Sequence, residues 1–164
     1  MLTALDRDKK KADALRLAVP GAARVAAGDA TRPQRWWDGE AFDAVVLDVP
    51  CSATGILRAR PEVKHQQDEA SVAALCAQQA AMLRSLWPLL RPGGHLLYMT
   101  CSLLRAENEA PVRAFVREQR DAKATMLEAP PSDAATAHRT PLGITFFPSD
   151  AHQGGYVALL QKKS

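Results

Sequence analysis

At 164 residues, 47% hydrophobic and 24% charged, the chain has the size and apolar content of one ordinary domain, which excludes a disordered polymer. Its 21 basic and 18 acidic side chains leave a net charge of +3, too little for a strongly polybasic nucleic-acid tail. No stretch approaches the ~18 uninterrupted apolar residues of a membrane span and no basic-then-apolar leader opens the sequence, so a soluble, reducing, cytoplasmic setting is expected.

In chain order, Leu2 to Leu5 form a short apolar run that stops at Asp6. Asp8 to Ala18 place Ala12, Leu15 and Ala18 at helical spacing, and Pro20-Gly21 end the helix. Val25 to Ala27 suit a brief strand closed by Gly28-Asp29, and Arg32 to Gly39 suit a loop or a single helical turn carrying Trp36 and Trp37. Phe42 to Leu47 read as a strand buried on both faces, ending at Asp48-Val49-Pro50-Cys51. A polar loop from Ser52 to Gln67 leads into a helix over Glu69–Trp87 with an apolar stripe of Val72, Leu75, Met82, Leu83 and Leu86. Arg91 to Gly94 form a turn, and His95 to Thr100 a second buried strand ending at Cys101-Ser102. A helix over Glu107–Arg120 keeps Pro111 in its first turns and Val112, Phe115 and Val116 inward. Ala129 to Gly143 read as a long surface loop and Tyr156 to Gln161 as the last strand; there are no internal repeats.

Strands alternating with helices predict an α/β domain with a mostly parallel sheet. Such sheets bind ligands beyond the carboxyl ends of their strands. Asp6, Asp29, Asp48 with Cys51, and Cys101 all follow a strand or strand-like run, so four polar ends at one edge of one sheet are expected to form one site. A carboxylate such as Asp6 suits the two ribose hydroxyls of an adenosine cofactor, or simply caps the next helix. Asp29 suits an adenine amino group, or an ordinary turn.

The three cysteines, spaced 25 apart, form neither a disulfide framework nor a Cys-x-x-Cys clip, so free thiols and no metal are expected. Each alone reads as a small buried hydrophobe, and Cys76, within a helix, keeps that reading. Two cysteines and an aspartate beside an adenosine site do suit one chemistry, methylation of cytosine at carbon 5. That carbon is a poor nucleophile until a thiolate adds to carbon 6 and makes it enamine-like. A carboxyl group near N3 and the exocyclic amine stabilises the adduct, and a second cysteine assists elimination of the first.

The segment Asp48-Val49-Pro50-Cys51-Ser52-Ala53-Thr54-Gly55, followed by Arg58, Pro61 and Lys64, resembles the fourth motif of the RNA cytosine-C5 methyltransferases. Thr100-Cys101-Ser102 with Glu107-Asn108 resembles their sixth. The likeness is to the bacterial RsmB type (Sun or Fmu), which acts on small-subunit (16S) ribosomal RNA, and it runs over nearly the whole chain. It implies a Rossmann-like S-adenosylmethionine-dependent methyltransferase fold. It also implies Cys101 as nucleophile, Cys51 as the cysteine of product release, Asp48 near cofactor and base, and Asp6 and Asp29 on the ribose and adenine of S-adenosylmethionine. The partner implied is ribosomal RNA.

The family's Pro-Gly-Gly-Lys cofactor loop is not found upstream of Asp6, and there is no Gly-x-Gly. Residues 1–164 are therefore expected to be the carboxyl-terminal part of a catalytic domain, without its first strand, its Gly-rich loop and the upstream RNA-binding region. That strand would lie between those ending at Asp6 and Asp48. Unpaired buried backbone groups cost about 1–3 kcal/mol each, so reduced stability or direct pairing of those two strands is expected. Arg58, Arg60 and Lys64 are candidate phosphate contacts beside a base that must be splayed or flipped out, or simply a solvated charged loop. Two rivals stand beside this reading: a catalytically silent RNA- or ribosome-binding fragment, and a redox protein using Cys51 and Cys101 as a dithiol.

Overall fold

The computed structural model describes residues 2–18, 23–127 and 135–164. Strand β1 (Leu2–Asp6) leads to helix α1 (Lys9–Ala18), where the Asp8 carboxylate accepts from the Lys10 amide at 2.8 Å and so satisfies an otherwise orphaned donor. Strand β2 (Ala23–Ala27) returns parallel to β1, pairing Asp6 with Ala27. A second strand–helix–strand unit follows: β3 (Phe42–Asp48), α2 (Glu69–Leu86) and β4 (Leu90–Thr100), again parallel. Asp68 and Ser71 cap α2 reciprocally, side chain to backbone at 2.8 and 2.9 Å. The helix ends at Leu86 and passes into a single 3-10 turn over Trp87–Leu89, where Pro88 has no N–H to donate to a continuing helix. Helix α3 (Glu109–Glu118) carries Pro111 in its first turn and is followed by β5 (Ala122–Thr125), β6 (Ala137–Thr140), β7 (Gly143–Phe146) and β8 (Gly155–Lys162).

The larger sheet runs β3-β4-β8-β7-β6. One edge of β8 pairs with β4; the other is shared by β7 over Gly155–Val157 and by β5 over Leu159–Lys162. Leu96, Tyr98 and Thr100 alternate into the core from β4, and Tyr156, Ala158 and Leu160 from the neighbouring β8. Helices α2 and α3 cover that face with Leu83, Leu86, Val112 and Phe115. Trp87 packs edge-on against Phe115 at 5.2 Å and donates its indole N–H to Asp121 at 3.0 Å.

The α/β class is as the pattern implies, with three corrections. The sheets are mixed rather than mostly parallel: β1–β2 and β3–β4 are parallel, while every pairing made by β8 is antiparallel. The strand from Phe42 is not buried on both faces. Among the described residues it pairs only with β4, and Val46 is 69% exposed. Nor does β1 pair directly with β3. It is joined to β2 in a separate two-stranded sheet, which rests against the core through Leu5, Ala26 and Trp36.

Arg91 to Gly94 are not a free turn but the start of β4. The register slips there, from Phe42 opposite Leu90 to Ala44 opposite His95, and Gly93 takes the left-handed conformation (φ +78°) open to glycine. The expected loop after Ala129 includes β6 in its described part; residues 129–134, like the helix stop at Pro20-Gly21, lie outside the described residues. Among the described residues no helix is long and apolar enough to cross a membrane, and no cluster of three metal-ligating side chains forms.

Leu83 is fully buried between α2 and the sheet. Leu83→Ala is expected to cost about 2–5 kcal/mol in urea unfolding, mostly as a cavity. Val46→Thr, on the exposed edge, is expected to stay within about 0.5 kcal/mol.

Candidate active site

Parallel pairing sets Asp48 of β3 beside Met99 of β4, so both strands end at the same edge and release their loops together. The chain leaves β3 as Val49-Pro50-Cys51 and β4 as Cys101-Ser102. The two thiols meet with their sulfurs 3.2 Å apart, although 50 residues separate them in sequence. Backbone bonds join the loops: Gly55 donates to the Cys101 carbonyl at 2.8 Å, and Gly154 donates to the Gly55 carbonyl at 2.9 Å. A side chain at Gly55 would have its Cβ 2.3 Å from the Gly154 oxygen, so only glycine lets these three segments touch.

Behind the thiols lies a buried polar cluster. One oxygen of Glu107 accepts from the Ser52 amide at 2.8 Å and the Gln79 side chain at 3.1 Å. The other accepts from the hydroxyls of Ser52 and Ser102, both at 2.5 Å. Gln79 also donates to the Pro50 carbonyl at 2.9 Å, and Asn108 donates to the Ser102 carbonyl at 2.9 Å while accepting from Thr100 at 2.6 Å. Ser52, Gln79, Ser102 and Glu107 are fully buried. Glu107 was legible only as part of a motif, and Gln79 carried no signal at all. The shared Cys-Ser order at residues 51–52 and 101–102 was the one hint of a symmetric anchor.

The thiols share one proton unequally. The hydrogen bond from Cys51 lowers Cys101 to about 7, against opposing burial and the negative charge of Asp48. Cys51 moves upward, first through that same bond and then through burial. Cys101 is therefore the thiolate of the pair, and Cys51 the thiol that stabilises it. Cys76 stands apart on α2, donating to the Ala106 carbonyl at 3.2 Å, and burial pushes it upward.

Asp6 ends β1 and Asp29 lies two residues past the end of β2, and the Gly28 amide between them donates to the Asp6 carbonyl at 2.9 Å. The strand ends do not share one sheet as expected: Asp6 and Asp29 follow the strands of the smaller sheet, whereas Asp48, Cys51 and Cys101 lie at strand ends of the larger. One Asp6 oxygen accepts from the Asp8 amide at 2.7 Å. One Asp29 oxygen accepts from the Thr31 hydroxyl at 2.7 Å and amide at 2.9 Å, which hold its carboxyl below the usual range. Each carboxylate keeps a second oxygen with no donor from the described residues, as a ligand presenting hydroxyl or amino hydrogens requires. Arg58, Arg60 and Lys64 are exposed on the turns after the Cys51 loop. Arg58 pairs with Asp150 at 2.8 Å and Arg60 with Glu62 at 2.9 Å.

A Rossmann-like α/β fold with its reactive side chains at the strand ends is the architecture of S-adenosylmethionine-dependent methyltransferases, and solved structures agree. PH0851 superposes with a TM-score of 0.87 at 28% identity, over 98% of this chain and 36% of that one. NSun6 from Pyrococcus horikoshii, solved with SFG, gives 0.75 at 26% identity, over 99% of this chain and 41% of that one. Ribosomal RNA small subunit methyltransferase B of Xanthomonas campestris pv. campestris is 42% identical over 99% of this chain, which spans 38% of that relative's length. The 16S rRNA methyltransferase RsmB/F family matches residues 1–161, and the chain belongs to that family.

Iodoacetamide reacts with thiolates, so Cys101 is expected to titrate with a midpoint near 7, ahead of Cys51 and Cys76, when read by peptide mass. Cys51→Ala removes the stabilising donor and is expected to raise that midpoint toward the ordinary thiol value of about 8.5.

Proposed function

We propose that the chain carries the thiol chemistry of a methyl transfer from S-adenosylmethionine to carbon 5 of a cytosine in RNA, with small-subunit ribosomal RNA as substrate. The observation that carries this reading is the Cys51–Cys101 contact of 3.2 Å at the strand ends, with one thiol poised as thiolate. The family and its Xanthomonas relative support ribosomal RNA as the target.

Cys101 adds through sulfur to carbon 6 of a cytosine splayed out of its stack, and electron density moves to carbon 5. Asp48, exposed at the end of β3, faces N3 and the exocyclic amine in this reading and holds the adduct's hydrogens. S-adenosylmethionine supplies an electrophilic methyl group, and Asp6 and Asp29 are the carboxylates suited to its ribose hydroxyls and adenine amino group. Elimination breaks the carbon 6–sulfur bond and removes the carbon-5 proton: Cys51, the protonated partner, gives its proton to the leaving Cys101 sulfur and, now a thiolate, accepts the carbon-5 proton. The pair is then one proton richer than at the start and loses that proton to solvent. Arg58, Arg60 and Lys64 take phosphates. Exposed ion pairs such as Arg58–Asp150 are worth only about 0–1 kcal/mol, so phosphate readily displaces the carboxylate.

With 16S rRNA and labelled S-adenosylmethionine, the chain is expected to give 5-methylcytosine, and Cys101→Ala to give background only. Cys51→Ala is expected to accumulate a protein–RNA adduct that survives denaturation. RNA that binds without label or adduct would mark a binding piece without transfer chemistry and overturn the reading. Arg58→Ala and Lys64→Ala are each expected to lower the salt slope of RNA binding by roughly 0.7, the contribution of one phosphate on a single strand. Filter binding from low to high salt measures it.

A further inference from the structure

We propose that Glu107 is a positioning residue for the thiol pair: its buried carboxylate ties the Cys51 loop to the Cys101 loop and sets the distance at which one thiol donates to the other. The inference rests on the reading of Cys101 as the nucleophile and adds to it the group that keeps the nucleophile activated.

The geometry rules out a catalytic role for Glu107 itself. Its side chain is fully buried, and its two oxygens already accept four hydrogen bonds, which fills the lone-pair positions of a carboxylate. No acceptor capacity remains for a substrate proton. The four donors that reach it are all neutral, an amide N–H, a Gln side chain and two hydroxyls, so its desolvation is offset by neutral donors. A buried carboxylate is a costly way to fill space, and burial of this kind serves geometry better than stability.

What the four bonds hold is specific. Cys51 lies between two pinned peptide groups, the Pro50 carbonyl bound by Gln79 and the Ser52 amide bound by Glu107, while Gln79 itself donates to Glu107. Cys101 lies between Thr100, held by Asn108, and Ser102, held by Glu107 through its hydroxyl and by Asn108 through its carbonyl. The second Glu107 oxygen bridges the serines that follow each cysteine, and their hydroxyls lie 3.1 Å apart. The dipeptide Glu107-Asn108 therefore grips both sides of Cys101 and the Ser52 side of Cys51, while Gln79, itself bound to Glu107, holds the Pro50 side. Its own backbone is fixed in turn, since Tyr98 donates to the Glu107 carbonyl at 2.6 Å. An amide in its place offers one acceptor oxygen, and the two serine hydroxyls that now point at oxygen would meet N–H donors.

The sign of the effect separates positioning from electrostatics. The negative charge of Glu107 opposes a thiolate at Cys101, so removing it without moving anything would lower the Cys101 midpoint. Releasing the loops breaks the Cys51 hydrogen bond and raises it. For Glu107→Gln we expect a Cys101 alkylation midpoint raised by about one pH unit and alkylation at low pH slowed about tenfold, the amount that follows from one unit. The same substitution in a Cys51→Ala background is expected to give no further rise, because both changes remove one hydrogen bond.

A midpoint unchanged or lowered in a cooperatively melting Glu107→Gln protein would overturn the proposal. So would an equal rise with Cys51 already absent. If Glu107→Gln loses cooperative melting, Ser102→Ala removes a single arm of the clasp. It is expected to raise the midpoint by a smaller amount, and an unchanged midpoint there would overturn the proposal as well. The readout is thiol chemistry in the chain alone. A failed RNA methylation assay with the thiol shift intact would sink the proposed reaction while leaving the clasp standing.

Discussion

Parallel pairing of β3 with β4 is the constraint on which the rest depends. It brings Asp48 level with Met99, so the next few residues of each strand emerge at one edge. A parallel pair needs a long crossover, and α2 provides it while supplying Gln79 from its buried face. Had the strands run antiparallel, the two cysteines would leave from opposite ends. The helix, the register and the site are thus one arrangement.

Given that placement, the polar cluster under the loops decides what the thiols become. Two thiols in contact compete for a proton, and the competition is settled by which one donates. Cys101 lies nearer the negative field of Asp48, which works against its ionisation, yet the bond from Cys51 outweighs that field and burial together. The lowering therefore comes from a neighbouring thiol rather than from a cation among the described residues. The consequence is a thiolate whose stability depends on a distance, held by groups buried behind it.

The smaller sheet contributes differently. Strand β1 ends on Asp6 and β2 is followed by Asp29, and both strands lean on the core through a few apolar contacts, Leu5 and Ala26 among them. The larger sheet carries the thiols and most of the core. Chemistry and the carboxylates suited to a cofactor therefore rest on separately hydrogen-bonded units, and the open edge of β3 with exposed Val46 faces no strand among the described residues.

Much of this was legible in the amino-acid order. Continuous β-prone runs such as Val45-Val46-Leu47 and the helical spacing of Met82, Leu83 and Leu86 declare their local structure, because propensity and periodicity act over a few residues. The motifs around Cys51 and Cys101 likewise single out the two thiols that meet, and not Cys76. The exposure of Val46 was not legible: it is as apolar as a core residue, and only the packing around β3 decides whether its face is covered. Short strands such as Ala122–Thr125 form because β8 offers them a ladder, and their own residues carry little signal. What the sequence by itself determined is therefore the longer strands and helices and the two motifs that hold Cys51 and Cys101. The tertiary structure alone decided that two sulfurs far apart along the chain touch, that Glu107 closes over both loops, and which thiol holds the proton. Those are distances between remote residues, and a distance exists only once the chain has folded.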